Sequence, residues 1–403
     1  MSEIKTPYFL IDTAKIDELV NNTFSAINKK WQNAIIGYSF KTNNLPWIIS
    51  YMKDKGLWAE VVSSDEYCLA KALGFEPSKI IFNGPVKEKK EFIEAIENNA
   101  IVNIDAKREL LWLLECDKES LKNAKIGLRV NFCIEEFCPS ESQCGAEDGR
   151  FGFSYEQGEL SKAINFLKEH NISLSGLHMH CSSKTRSLNI YQALSKMAVN
   201  IVEEFSLDLK FLDIGGGYFG GVPGKPSFEE YANIIYSITS KCDRLKMCNL
   251  IIEPGISVIG AAVDYVTSII DIKETKNNRF VVTDGSRMHI DPQKRKTQYT
   301  YRIEHRKEQD EKKNHKPQIL CGFTCMEDDR FFSTSENFTI GDNVIFEKVG
   351  AYTMGLSSQF INFYPIVCAK INDEIVVVRR KNSAEDFIAI SCAKYENDLG
   401  ETK

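Results

Sequence analysis

Short apolar runs alternate with longer stretches whose apolar residues recur every three or four positions, and the alternation persists to about residue 260. The short runs predict strands at 34–40, 58–62, 79–83, 100–104, 125–131, 172–179, 209–214 and 249–253. The periodic stretches predict helices near 13–29, 44–54, 65–73, 88–98, 106–115, 156–169, 188–204 and 228–240. Eight strand–helix units in series favour a closed (β/α)8 barrel over an open doubly wound sheet. Beyond residue 260 the texture changes. Val263 to Ile272, Arg279 to Thr283, Ile319 to Cys321, Asn343 to Glu347 and Glu374 to Arg379 are short β-rich runs broken by Gly, Asn and Asp, which read as an all-β domain. Within it, residues 293–317 are polar and carry both signs of charge, as a solvated loop does. The expected class is therefore α/β, a TIM barrel followed by a C-terminal all-β domain. Residues 1–12 hold a strand (Tyr8 to Ile11) that pairs with the β domain, 13–260 form the barrel, and 261–403 form the β domain.

In a barrel of this kind the chemistry sits where strands empty at the C-terminal face. The first run, Ala34 to Phe40, ends in Lys41, and a partly desolvated amine there can attack a carbonyl. The sixth strand ends in His178-Met179-His180-Cys181-Ser182-Ser183, the seventh in Asp213-Ile214-Gly215-Gly216-Gly217-Tyr218, and the eighth in Glu253-Pro254-Gly255. An amine, an imidazole, a glycine cluster and a carboxylate thus open on one face. Residues 215–220 fit the GxGxxG dinucleotide fingerprint, which should lead straight into a helix. Here Pro223, Gly224 and Pro226 intervene, and a helix starts only at Ser227, with Glu230 completing a capping box. A phosphate cup is the better reading, since three glycines let backbone N–H groups close on an anion. His178 and His180 form an HxH metal pattern, but a zinc barrel would want further ligands at other strand ends, where His170, His289, His305 and His315 are not placed, and His178 reads as a core histidine. Cys133, Cys138 and Cys144 are spaced too irregularly for a zinc site. A phosphate site, an aldehyde-reactive lysine and a facing acid together suggest pyridoxal phosphate. Lys41 would bind the aldehyde, and Glu253 would keep the pyridine nitrogen protonated.

Composition narrows the class. The 403 residues carry a net charge of -6, which excludes the basic footprint of a nucleic-acid binder. No apolar run reaches membrane-spanning length and the start has no signal pattern, so no membrane partner is expected. Twelve cysteines in such a chain read as reduced thiols of a cytoplasmic protein.

These residues resemble the fold-type III pyridoxal phosphate decarboxylases, the ornithine and diaminopimelate decarboxylase group related to alanine racemase. Tyr38-Ser39-Phe40-Lys41-Thr42-Asn43 stands for Y-A-x-K-A-N, Val61 to Glu66 for V-x-S-x-G-E, Gly127 to Asn131 for L-R-I-N, and Arg150-Phe151-Gly152 for K-F-G. Gly322-Phe323-Thr324-Cys325 is similar to G-P-T-C and Gly350-Ala351-Tyr352 to G-A-Y. The resemblance implies cofactor binding by Lys41, Arg129, His180 (stacked on the ring), Ser183, Gly215, Gly216, Gly217, Glu253, Gly255 and Tyr352. It implies catalytic roles for Lys41, His180, Glu253 and Cys325. It further implies a head-to-tail homodimer with shared active sites, in which Cys325 of the partner subunit returns a proton to Cα of the amino-acid substrate. Asp329 matches the acid that follows the cysteine, and Arg287 and His289 are candidates to meet a substrate carboxylate.

Departures from the pattern bear on specificity. The family's E-P-G-R is Glu253-Pro254-Gly255-Ile256 here, so the arginine that pairs with phosphate is absent. Met326 stands where an acid grips the substrate's distal amine, and a thioether cannot neutralise an ammonium. The expected activity is decarboxylation of a diaminopimelate-like, modified or conjugated amino acid in a biosynthetic pathway. The alternatives are a racemase of the same fold and a non-catalytic pyridoxal phosphate-binding protein.

Overall fold

The computed structural model describes residues 4–144, 147, 149–181, 184–306 and 317–391. The chain divides into two compact units, residues 15–261 and residues 1–14 together with 262–403. Strands are numbered along the chain, and β1 (Tyr8–Asp12) belongs to the latter unit.

The first unit is built on β2 (Ile35–Ser39), β3 (Trp58–Val61), β4 (Ile80–Phe82), β5 (Ile101–Ile104), β6 (Lys125–Asn131), β7 (Phe153–Ser154), β8 (Gly176–His178), β9 (Phe211–Asp213) and β10 (Asn249–Ile252). Every pairing among them is parallel. Because β5 pairs with β6 and β10 pairs with β2, eight strands close into a ring, with the two-residue β7 added beside β6. The barrel strands are almost entirely buried, which is why they read as continuous apolar runs rather than alternating ones. Ile81, Ile101, Phe211 and Ile251 fill one layer of the interior, with Ile35 and Trp58 packed against it. Two glycines make room for the Phe211 ring. A Cβ on Gly176 would stand 2.1 Å from it, and one on Gly127 would stand 3.1 Å from it.

Helices follow the strands, as in Thr13–Asn28, Pro46–Asp54, Ser64–Ala72, Lys89–Glu97, Leu188–Glu204 and Phe228–Thr239. Several start where a serine side chain accepts an otherwise orphaned N–H. Ser63 receives Glu66 N, Ser187 receives Ile190 N, and Ser227 with Glu230 forms the reciprocal capping box its spacing predicts. A short helix at Lys118–Asn123, capped by Asp117, precedes β6 and had no apolar period to betray it.

The second unit is a nine-stranded sheet comprising β1, β11 (Val263–Glu274), β12 (Arg279–Thr283), β13 (Tyr301–Glu304), β14 (Gln318–Cys321), β15 (Arg330–Thr334), β16 (Asn343–Phe346), β17 (Ile366–Ile371) and β18 (Glu374–Arg379). β1 lies between β11, to which it is antiparallel, and β17, to which it is parallel. One expectation is corrected here. Residues 301–304 are not solvated loop but β13, paired antiparallel to β16. Its Tyr301 stacks on Phe332 at 4.5 Å between centroids, so the aromatic face, not the charge pattern, decides. Residues 307–316 of the same stretch lie outside the described residues.

Candidate active site

Lys41 sits in a tight turn, Phe40–Thr42, directly after β2, with its two turn neighbours buried and its own side chain 39% exposed. That exposure keeps the amine reachable. Its Nζ lies 3.2 Å from Oε2 of Glu60 on the neighbouring β3, a carboxylate with no solvent exposure. Glu60 Oε1 in turn accepts from Nδ2 of Asn83 at 2.9 Å, and the same amide nitrogen hydrogen-bonds Glu253 Oε1. Asn83 Oδ1 accepts from Asn103 Nδ2 at 2.8 Å, which also donates to Asp213 Oδ2 at 3.0 Å. A continuous polar chain therefore runs from the lysine to the acid across the ends of β3, β4, β5, β9 and β10. All of its links except Lys41 are buried.

Electrostatics separate the two acids at its far end. Burial, and beyond it the neighbouring Glu253 carboxylate, push Asp213 well above the carboxylate range. Burial acts on Glu253 too, but His178, Lys41 and a hydrogen bond from Asp213 outweigh it and hold the group below the usual carboxylate range. The result is one neutral acid beside one anion, which like charges in a dry site require. His178, read from sequence as a satisfied core histidine, is buried with neither ring nitrogen hydrogen-bonded, and its Nε2 lies 3.7 Å from Glu253 Oε2. His178, Asp213 and Glu253 offer ligand atoms within 4.8 Å of one another. Both carboxyls already accept amide hydrogen bonds.

The glycine run lies against the same acid. Gly215 has φ +75° and Gly217 φ +97°, both in the left-handed region. A Cβ on Gly215 would meet His180 Cβ at 2.4 Å, and one on Gly216 would meet Glu253 O at 2.3 Å. Tyr218 donates its hydroxyl to Gly215 O at 3.0 Å and Tyr191 donates to Gly216 O at 2.9 Å. These bonds occupy the carbonyls. Among the described residues the N–H groups of Gly216 and Gly217 have no acceptor. Gly255 is bare because Thr42 Oγ1 lies 2.0 Å from where its Cβ would be, which brings the β10 end onto the lysine turn.

His180 follows β8, its ring nearly parallel to that of His178 (12° between planes, centroids 6.4 Å apart). Burial first, then the Arg129 and Lys41 cations, push its imidazole down to about 3, so it is neutral at ordinary pH. Arg129 supports it from β6, donating to His180 O at 3.2 Å while paired with Asp105 at 3.0 Å and lying over the Phe151 ring. Glu66, at the start of the helix after β3, accepts from Val62 N, and burial pushes it up to about 7.

The first unit thus gathers Lys41, Arg129, His180, Gly215, Gly216, Gly217, Glu253 and Gly255. Ser183 lies outside the described residues. The remaining candidates belong to the second unit. Cys325 is exposed and Met326 partly so, on the loop after β14. Asp329 is buried, and its oxygens accept from Ser286 Oγ, Arg287 N and Thr324 N and Oγ1, so it ties this loop to the turn after β12. Arg287 pairs with Asp291 at 2.8 Å, and buried His289 shares a hydrogen bond with Tyr265. Tyr352 is 39% exposed on a left-handed backbone. Sequence reasoning did not single out Asn83 or Asn103. Their signal was a polar residue inside or at the end of an apolar strand, Ile80 to Asn83 and Ile101 to Ile104.

The arrangement fits pyridoxal phosphate. A reachable amine, an anionic acid, a neutral imidazole and unpaired backbone donors lie around one barrel mouth, each matched to a different part of that molecule.

Residues 17–260 match the family model described as "Pyridoxal-dependent decarboxylase, pyridoxal binding domain". The diaminopimelate decarboxylase of Methanocaldococcus jannaschii is 26% identical over 405 residues, covering 95% of this chain and 90% of that one. That of Helicobacter pylori strain J99 is 26% identical over 394 residues, covering 95% of each. Among solved structures, the Helicobacter pylori diaminopimelate decarboxylase complexed with L-lysine superposes with a TM-score of 0.81 at 24% identity, over 96% of this chain and 97% of that one. The Paramecium bursaria Chlorella virus arginine decarboxylase does so with a TM-score of 0.75 at 20% identity, over 91% and 95%. At these identities the superpositions speak for the fold. With the family model spanning residues 17–260, the whole barrel, the chain belongs to the pyridoxal-dependent decarboxylases.

Proposed function

We propose that the protein decarboxylates an amino acid with pyridoxal phosphate in a biosynthetic pathway, acting on a diaminopimelate-like, modified or conjugated substrate. The observation that carries this is the polar chain Lys41–Glu60–Asn83–Glu253 beside the glycine run. When bound, pyridoxal phosphate accepts the electron pair left on Cα as carbon dioxide departs. Lys41 supplies the amine that holds the aldehyde, with Glu60 stabilising its protonated form. Glu253, kept anionic, holds a proton on the pyridine nitrogen, a charge-assisted bond worth roughly 1.5–3 kcal/mol. His180, kept neutral, offers a flat face without adding charge. The proton for Cα comes from the partner subunit's Cys325 in a head-to-tail homodimer of cytoplasmic location.

The substrate is narrowed by Met326. The acids after it are engaged elsewhere: Glu327 with Arg330, Asp328 with Lys294, and Asp329 within its own loop. A free distal ammonium therefore finds no ready counter-charge there, and ornithine, lysine and diaminopimelate should turn over slowly. A screen for CO2 release across free and conjugated amino acids, with added cofactor, tests the reading. Release that disappears in Lys41→Ala supports it; exchange of the Cα proton without CO2 would establish a racemase instead. Rapid turnover of the three free diamino acids, unaffected by Met326→Ala, would overturn the substrate assignment.

A further inference from the structure

Three tyrosines join the glycine run to the loop that follows β8. Tyr191 and Tyr218 stack at 4.8 Å, and Tyr231 packs edge-on against both. Their hydroxyls donate to three carbonyls, those of Gly216, Gly215 and Arg186. The Arg186 carbonyl is thereby fixed at 2.6 Å from Tyr231, with a left-handed backbone, φ +55°. From there the guanidinium reaches over the Phe219 ring, 4.8 Å from its centroid. Phe219 is the second residue after the glycines, and Lys225 Nζ lies over the same ring, 5.5 Å from its centroid. Among the described residues no carboxylate pairs with Arg186, unlike the other arginine near this mouth, Arg129, which is bound to Asp105.

The neighbouring turn supplies no cation. Gly220 packs on it so closely that a Cβ would lie 1.9 Å from Ser257 O, and the residue before Ser257 is the apolar Ile256. An anion held by the Gly216 and Gly217 N–H groups needs a neutralising charge, and of the two cations at the Phe219 ring the guanidinium stands nearer its centroid and matches phosphate oxygens in geometry as well as charge. The geometry points to Arg186 as the residue that binds the cofactor's phosphate, in place of an arginine at position 256. This assignment rests on the proposed pyridoxal phosphate reading and locates the charge its phosphate needs.

Equilibrium dialysis of the cofactor-free protein against pyridoxal phosphate and against pyridoxal, which lacks the phosphate, separates the possibilities. Arg186→Gln should weaken pyridoxal phosphate binding by about tenfold or more, the range of a charge-assisted bond, and leave pyridoxal binding unchanged. Adding Ile256→Arg to Arg186→Gln should restore much of the loss. If Arg186→Gln weakens both ligands alike, the arginine only shapes the loop and the assignment fails; if it weakens neither, it fails outright. A wild-type protein that binds pyridoxal phosphate no more tightly than pyridoxal would bring down the cofactor reading along with it.

Discussion

Asn83→Asp exchanges an amide that donates to both Glu60 and Glu253 for a third carboxyl between them. Asn83 Nδ2 lies 2.9 Å from Glu60 Oε1 and hydrogen-bonds Glu253, and both acids are buried. A second negative charge at such a spacing costs roughly 6 kcal/mol at an effective dielectric of about 20. Taking up a proton at pH 7 costs only about 4 kcal/mol for a group that ionises near 3.9 when unfolded. The introduced carboxyl is therefore protonated in the fold, its folded pKa above its unfolded one. A group of that sign is harmless below about pH 4 and destabilises by about 1.4 kcal/mol for each pH unit above it, until the folded pKa is reached. Urea unfolding of the cofactor-free wild type and variant, at pH 5.5 and 7.5, measures the difference directly. The variant's deficit should grow by about 3 kcal/mol between the two. An equal deficit at both pH values would refute the placement of this side chain between two carboxylates.

Two further perturbations probe the same mouth. Gly215→Ala forces a left-handed backbone on alanine, at about 1–2 kcal/mol, and drives a methyl into His180, so melting temperature and pyridoxal phosphate affinity should both fall. Gly158→Ala, with φ +67° but nothing within 4 Å of a Cβ, should lower only the melting temperature; equal effects of the two on affinity would count against the cradle. Glu66, pushed up to about 7 by burial, contributes stability present below about pH 4.5 and lost as pH rises through about 7. Glu66→Gln removes that loss while its carbonyl can still accept from Val62 N. Its stability relative to wild type should rise by about 3 kcal/mol from pH 4.5 to pH 8, and a flat difference would contradict the burial argument.

The eight barrel strands were legible because burial on both faces leaves a run with almost no polar residue. Lys41, the glycines and Glu253 were legible because barrel topology sends every strand end to one face. β13 was hidden, since Tyr301–Glu304 alternates aromatic or apolar with charged residues inside a longer charged stretch. Asn83 and Asn103 were overlooked for the opposite reason: one amide in an apolar run has no periodicity, and its role appears only when strands distant in sequence bring Glu60, Asp213 and Glu253 beside it. Arg186 is likewise an ordinary loop residue until the tyrosine trio sets its backbone against the glycine run. The substrate side was least legible, because Asp329 stands in an expected motif yet spends its oxygens on Thr324 of its own loop and on Ser286 and Arg287 after β12.

A single covalent anchor, Lys41 Nζ, is what the proposed cofactor requires of this barrel. Incubating the protein with pyridoxal phosphate, reducing with borohydride and mapping peptides by mass spectrometry reads it out. A phosphopyridoxyl group on Lys41 Nζ, absent from Lys41→Ala, is the predicted result. The same label on another lysine, with Lys41 unmodified, would contradict it.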